Sequence, residues 1–453
     1  MLKAAIRSLS LGVVLSSSFT LRALEITSYE QITQVARERG YSGEVLVKRA
    51  GHVVYRENFG FADADKKIPN TVSTRFAIGS ATKQITAASI LLLRERGLLK
   101  LDDTLEKLLP EEHFPWAAQV TVHQLLTHTS GIFNYTNSDD FFEFVNRKGA
   151  ALRTDDLIDL FRNEPLNFTP GSQWSYCNSG FLLLGRIVEK LSGETYGDFI
   201  RKEFFEKLGM LHTSYEPFSW DSSNANPLDF DENYNLIAAK PSYLKWANSA
   251  GGVVSTLEDH STWLSWLHQG HTILSDESLS LMKTPFVRMP VSGERYYGYG
   301  LVILDPNGPM SAIGHGGDLP SFHFLDLYYP SQDLQIIIAT NQEPTSVRDT
   351  LANMAVNFST QGKATIEDLR FDVTLSVEQT QKLEGSYEVQ GFKATVFSKD
   401  SRLYLQLEGQ GALWMIPQSE THFVLKDIAS VDFSPGSFVL HQDAKDLVFN
   451  KNL

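Results

Sequence analysis

Phe76-Ala77-Ile78-Gly79-Ser80-Ala81-Thr82-Lys83 decides the reading of this chain, because a serine stands three residues before a lysine where the local pattern changes. Gly79 permits a tight entry. From Thr82 onward Ile85, Ala88, Ser89, Leu92 and Leu93 recur on one helical face, with Gly97 as a stop. Ser80 is therefore expected in the first turn of a helix, beside unpaired N–H groups and the positive end of the dipole. Lys83 falls one turn further on the same side, where its amine can approach the serine oxygen. A serine hydroxyl is a weak nucleophile until a base takes its proton, and a desolvated lysine can be that base. The same residues equally fit a capping serine beside a solvated lysine. The spacing also recurs at Ser242-Tyr243-Leu244-Lys245 and Ser280-Leu281-Met282-Lys283. Ser280 lies inside a helical run and Ser242 follows Pro241 without a clear helix start, so both copies read as structural.

Outward from this stretch, Ser42 to Gly60 alternates apolar and polar residues around Ala50-Gly51, the pattern of a hairpin. Helical periodicity recurs at Val122–Thr127, Asp155–Arg162, Phe181–Leu191, Tyr196–Leu208 and Thr256–Leu267. Strands are expected at Tyr299–Leu304, Phe322–Tyr329 and Leu334–Thr340. Strands at both ends with helices between imply one mixed domain, residues 26–356, whose first and last segments meet in a sheet. Residues 357–375 turn polar and read as a linker. Residues 376–453 then hold short β-rich runs separated by turn residues, the signature of a small barrel or sandwich.

A chain of 453 residues suits two domains, and 42% hydrophobic with 21% charged residues is an ordinary globular composition. The net charge of −14, with no Lys/Arg run, argues against a nucleic-acid or anionic-membrane partner. Lys3 and Arg7 precede an apolar, Ser-rich stretch, and no acid occurs before Glu25, so residues 1–23 read as a secretory signal peptide. That implies a periplasmic or secreted protein. An uncleaved N-terminal anchor or an organelle-targeting segment shares these features. No later stretch has the apolar length of a membrane span. Cys177 stands alone, so no internal disulfide exists.

Two more segments carry usable chemistry. Tyr176-Cys177-Asn178 lies between the turn Phe168-Thr169-Pro170-Gly171 and an apolar helix; a phenol can exchange a proton with a lysine, and an amide can bond both lysine and substrate. Tyr135-Thr136-Asn137 repeats the triplet, so spacing leaves both open. His315-Gly316-Gly317 sits beside an expected strand, where glycines let a ligand approach the backbone and leave amides uncovered. His268-Gln269-Gly270 reads instead as a helix ending at glycine.

FAIGSATK, VTVHQLLTHTSGI (Val120–Ile132), FTPGSQWSYCNSGFLLLGRIVE (Phe168–Glu189), SAGGVVST (Ser249–Thr256) and IGHGG (Ile313–Gly317) follow in one order. That order resembles the serine β-lactamase and penicillin-binding-protein superfamily, most of all the branch of class C β-lactamases, D-stereospecific peptidases and related esterases. The resemblance covers roughly residues 35 to 345. It implies an α/β fold, a mixed sheet flanked by helices with an all-helical subdomain, and a small C-terminal antiparallel β-barrel. It makes Ser80 the acylated nucleophile, Lys83 its base, Tyr176 a second base or proton shuttle, and Asn178 a substrate-positioning residue. His315 takes the place of a lysine in true class C enzymes and completes the catalytic set with Ser80, Lys83 and Tyr176. Gly316, Gly317 and Asp318 line the substrate, with the amides of Ser80 and Asp318 as oxyanion donors. Where many relatives have a Gly-Phe pair this chain has Pro320-Ser321-Phe322-His323, which leaves the substrate-side strand and the substrate open. The expected activity is acyl-enzyme hydrolysis of amides or esters, D-amino-acid peptides or small esters foremost. A class C-type β-lactamase is the nearest alternative, and a non-catalytic peptidoglycan- or β-lactam-binding sensor the alternative of another class. Neither metal nor organic cofactor is implied, and the expected partner is a small-molecule or peptide substrate.

Overall fold

Ala50 and Gly51 both adopt positive φ, 48° and 77°, the conformation of a tight hairpin turn. They join β1 (Gly43–Arg49) to β2 (His52–Phe59). The chain then leaves this sheet for a long helical excursion. It returns as β3 (Val287–Arg288), β4 (Arg295–Tyr297), β5 (Val302–Leu304), β6 (Ala312–Leu319), β7 (Phe322–Tyr329) and β8 (Leu334–Thr340). The eight strands form one antiparallel sheet in the order β3-β4-β5-β6-β7-β8-β1-β2. Its closing step is the pairing of β8 with β1, from Leu334 opposite Arg49 to Thr340 opposite Gly43, so the first and last segments meet as expected. The structure is a computed structural model. It describes residues 23–452 apart from 216–222, 231–235, 240–243, 271, 292, 344–345, 368–374, 390–391, 400–401, 408–411, 426–428 and 443–444. These divide into two compact units, one of Tyr29–Asp229 and Leu236–Ser359, the other of residues 23–28, Phe230 and Thr360 onward.

Helix α1 (Thr82–Glu95) lies at the centre of the first unit. The sequence suggests one apolar face, yet every side chain from Thr82 to Leu93 is buried. The reason is that protein surrounds the helix: α2 (Asn178–Ser192) and the segment Asn248–Gly251 pack on it too. Its polar members are satisfied, with Thr86 Oγ1 donating to Ser249 O (2.6 Å), Ser89 Oγ to Ile85 O (2.8 Å) and Gln84 Nε2 to Asp326 Oδ2 (2.7 Å). Each buried Leu or Ile on such a helix contributes about 1.5–3 kcal/mol. Close approach needs small residues. A Cβ at Gly185 in α2 would lie 2.2 Å from Ser249 Oγ.

α2 begins three residues earlier than its apolar periodicity suggests, at Asn178, and ends on Gly193 at φ 73°. The expected Tyr196–Leu208 helix is interrupted by a π-helical stretch at Arg201–Phe205. Helix α3 (Leu257–Gln269) ends before Gly270, where His268 stacks on Tyr328 at 4.1 Å. Ser280 lies in the helix Asp276–Met282 while Lys283 Nζ donates to Leu267 O; Ser242 falls outside the described residues.

In the second unit, β9 (Gly385–Val389), β10 (Phe392–Lys399), β11 (Arg402–Leu407), β12 (Ala412–Pro417), β13 (His422–Leu425), β14 (Ala429–Ser434), β15 (Ser437–Gln442) and β16 (Lys445–Lys451) form a closed antiparallel barrel. Tyr387 opposite Lys451 and Glu388 opposite Asn450 close it. Tyr387, Leu405, Met415, Phe423, Val431, Phe438 and Phe449 fill the interior, as a barrel of this size requires. The stretch expected as a linker is partly regular: α4 (Ser346–Gln361) runs into it, and Ala364–Glu367 pairs antiparallel with Ala23–Ile26. A polar helix end and a two-stranded ribbon leave no apolar period to read. Residues 1–22 of the expected leader and 368–374 of the expected linker lie outside the described residues.

Candidate active site

The strand Phe76–Ala77 pairs with Val253–Ser255, and Ile78 N–H donates to Val253 O at 3.0 Å. This ties FAIGSATK to SAGGVVST. Gly79 then turns the chain at φ 50° into a single 3₁₀ turn, Gly79–Ala81, that leads directly into α1. A Cβ on Gly79 would stand 3.1 Å from Asp318 N, and one on Gly317 would stand 2.0 Å from Ile78 O and 3.0 Å from Ser80 N. Both positions must therefore be glycine for the Ser80 turn and β6 to touch, and their contact brings the Ser80 and Asp318 amide nitrogens together.

Ser80 is partly exposed while Lys83 is fully buried. Lys83 Nζ lies 3.1 Å from Ser80 Oγ, 2.9 Å from Asn178 Oδ1 and 2.8 Å from Ala250 O. Among the described residues no carboxylate pairs with it. Burial drives its pKa well below the ordinary lysine value. The rings of Tyr176 (4.8 Å) and Phe181 (5.4 Å) favour the ammonium. For an amine wholly removed from water that attraction is the smaller effect, so burial wins. A neutral amine has two N–H donors and one lone pair. Asn178 Oδ1 and Ala250 O take the donors, which leaves the lone pair to Ser80.

Tyr176 reaches the same point from the other side. Its hydroxyl faces Ser80, and desolvation holds the phenol protonated, well above the usual tyrosine range. Asn178 follows as the first residue of α2, with its N–H donating to Asn134 Oδ1 at 3.2 Å. Tyr135 of the competing triplet is buried elsewhere and donates its hydroxyl to Trp246 O (2.8 Å).

His315 stands one layer back. Its Nδ1 donates to Gly316 O (2.5 Å), so its Nε2 accepts from the Tyr297 hydroxyl (3.0 Å). Burial, with Lys83 nearby, pushes its pKa down to about 4, so it is neutral at pH 7. Its N–H donates to the buried carboxylate of Asp326 at 2.8 Å, which fixes β6 from behind. Gly316 is partly exposed, and the Asp318 side chain is exposed and bonded to His323 Nδ1 (3.0 Å) and Arg348 Nη1 (2.6 Å). The protein packed around one side of this half-exposed carboxyl would raise its pKa, but these two partners hold it below the ordinary carboxylate value.

Ser80, Lys83, Tyr176 and Asn178 thus meet at one point, with Gly317 and Asp318 beside them and His315 behind. Sequence reasoning missed Ala250, whose carbonyl the SAGGVVST motif supplies, and Tyr297, for which no local signal exists. It also left His128 without a role.

The Beta-lactamase family model matches residues 31–360. Penicillin-binding protein 4* of Bacillus subtilis is 28% identical over 440 residues, covering 90% of this chain and 94% of that protein. The crystal structure of a penicillin-binding protein from Bacillus halodurans superposes with a TM-score of 0.63 at 29% identity, covering 72% of this chain and 99% of that one. An octameric penicillin-binding protein homologue from Pyrococcus abyssi superposes at 0.64 and 25% identity, over 93% of this chain and 99% of its own. By the extent of that family match, with these relatives beside it, the chain belongs to the beta-lactamase family, within the superfamily of serine β-lactamases and penicillin-binding proteins.

Proposed function

We propose that the protein is a serine hydrolase that cleaves amide or ester bonds through an acyl-enzyme at Ser80, with D-amino-acid peptides or small esters as its substrates. The carrying observation is Lys83: a buried amine, with two acceptors engaged and a serine hydroxyl 3.1 Å away, is built to receive a proton. Ser80 Oγ attacks the substrate carbonyl as its proton passes to Lys83. The oxyanion is held by the Ser80 and Asp318 amides. Tyr176, protonated and facing Ser80, relays the proton from Lys83 to the leaving amine or alcohol, and the C–N or C–O bond breaks. Water then adds to the acyl-enzyme in the reverse proton order and releases the acid.

A neutral His315 supports peptides and esters over β-lactams, because the cationic lysine of class C enzymes at this place is absent. A periplasmic or secreted location fits this reading; no helix among the described residues is long and apolar enough to cross a membrane. The test is labelling with a fluorophosphonate. Wild type should label and Ser80→Ala should not; equal labelling sinks the assignment and favours a binding or sensor role. Turnover of a D-alanyl peptide and a short-chain ester should then exceed that of nitrocefin. The reverse order would make the protein a β-lactamase.

A further inference from the structure

We infer that His128 is a positioning residue, which clamps the turn carrying Tyr176 between its own carbonyl and its imidazole and so sets the phenol against Ser80 and Lys83. This rests on the reading of Tyr176 as the proton relay. The residues on either side of Tyr176 are held by this one side chain and backbone: Ser175 N–H donates to His128 O at 3.0 Å, and Cys177 N–H donates to His128 Nδ1 at 3.1 Å. Between these two bonds the His128 ring packs on Tyr176 with centroids 4.3 Å apart. The ring also packs on Phe181 at 5.1 Å and on Tyr297 at 4.6 Å, the tyrosine that holds His315. His128 is thus a wedge between the two tyrosines of the site.

The clamp depends on an unfavourable backbone. His128 has φ 58°, a left-handed conformation that costs a residue with a β-carbon roughly 1–2 kcal/mol. Such strain persists where its surroundings over-determine it, and it clusters at functional sites. Here the neighbours Thr127 and Thr129 share a hydroxyl hydrogen bond of 2.9 Å, Gly171 N–H donates to Thr129 O (2.8 Å), and Asn167 N–H donates to Gly131 O (2.7 Å). The segment from His128 to Gly131 therefore grips the Tyr176 loop at several points. The imidazole must be neutral to serve, since Nδ1 accepts and the proton sits on Nε2. Burial, with Lys83 and His315 near it, keeps the ring in that form.

His128→Gly and His128→Asn separate the acceptor from the conformation, because both residues tolerate positive φ and Asn alone offers an acceptor to Cys177. With p-nitrophenyl butyrate as substrate, His128→Gly should lower kcat about 10–100-fold, the loss typical of a slightly misplaced group, with KM within about twofold. His128→Asn should recover most of that loss. In a Tyr176→Phe background, His128→Gly should cost no further kcat. Equal kcat for the Gly and Asn variants, a change confined to KM, or additive losses in the double variant would overturn the inference. If the glycine variant does not fold, a folded His128→Asn protein that has lost more than about tenfold in kcat overturns it alone. Amide hydrogen exchange at Cys177 reads the clamp without turnover: it should accelerate in His128→Gly and not in His128→Asn. Unchanged exchange removes the clamp even if Ser80 labels, whereas failure of Ser80 to label removes the hydrolase reading and leaves the exchange result standing.

Discussion

Two copies of the same spacing, Ser80–Lys83 and Ser280–Lys283, are built into different surroundings. Ser80 sits in a 3₁₀ turn at the entry to α1, and Lys83 is sealed from solvent with a carbonyl, an amide oxygen and a hydroxyl around its amine. Ser280 is an exposed residue inside a short helix, and the Lys283 amine turns away from it to Leu267 O. Burial lowers both lysine pKa values, but it does so far more strongly at Lys83. Three residues of spacing bring an amine one turn from a hydroxyl; enclosure and acceptor placement decide whether it can act as a base.

The largest effect should come from removing each amine in turn. Lys83→Ala should lower the rate of Ser80 acylation by roughly 10³-fold or more, and Lys283→Ala should leave it unchanged. Comparable losses at the two sites, by labelling rate, would erase the distinction. Next is a change of charge beside Lys83. Asn178→Asp places a carboxylate where the amide oxygen now lies 2.9 Å away. An adjacent anion raises a lysine pKa by roughly 1–3 units, so the rising limb of the pH–rate profile should move up by that amount. Activity at neutral pH should fall and be recovered in alkali; a loss that is flat with pH would mean that Asn178 only positions substrate.

How much of this was legible follows from the range of the interactions. The Ser80 turn, the Ala50-Gly51 hairpin and the barrel strands declare themselves through glycine placement and alternation over a few residues. The full burial of α1 does not, because a helix covered all round loses the amphipathic contrast that periodicity measures. His128 was visible only as part of a motif, since its work depends on φ 58° and a bond to Cys177. Ala364–Glu367 read as linker because its pairing partner, Ala23–Ile26, lies at the other end of the chain.

A third enclosed group extends the comparison to stability. Glu44 on β1 is buried with Arg56 Nε 2.7 Å from Oε1, yet burial outweighs Arg56 and raises its pKa to about 7. A folded-state pKa above the unfolded value means its stabilising contribution is complete below about pH 4.5 and is lost as pH rises through about 7. The loss should approach about 3 kcal/mol. Denaturant melts at pH 5 and 8 should show it in wild type, and Glu44→Gln should flatten the difference. An unchanged slope would mean that Arg56 dominates after all. Smallest is the steric contrast within HGG. Gly317→Ala should cost about 1–3 kcal/mol through collision with Ile78 O, while Gly316→Ala, whose nearest neighbours stand at 3.8 Å, should stay within about 0.5 kcal/mol in the same melts.

The pairing of β1 with β8 also sets a timetable. Val45, Leu46 and Val47 are fully buried in the finished sheet, yet the strand that covers their open edge is made only when Leu334–Thr340 leaves the ribosome. At about 5–20 residues per second this is roughly fifteen to sixty seconds of synthesis, during which β1 has only its hairpin partner. The Gly317–Asp318 segment arrives almost as late, so Ser80 is translated long before the backbone beside it exists. A nascent chain of this protein carries an apolar strand edge and an unfinished candidate site. Damage to β8 should therefore lower the yield of folded protein through aggregation before it affects the turnover of molecules that do fold.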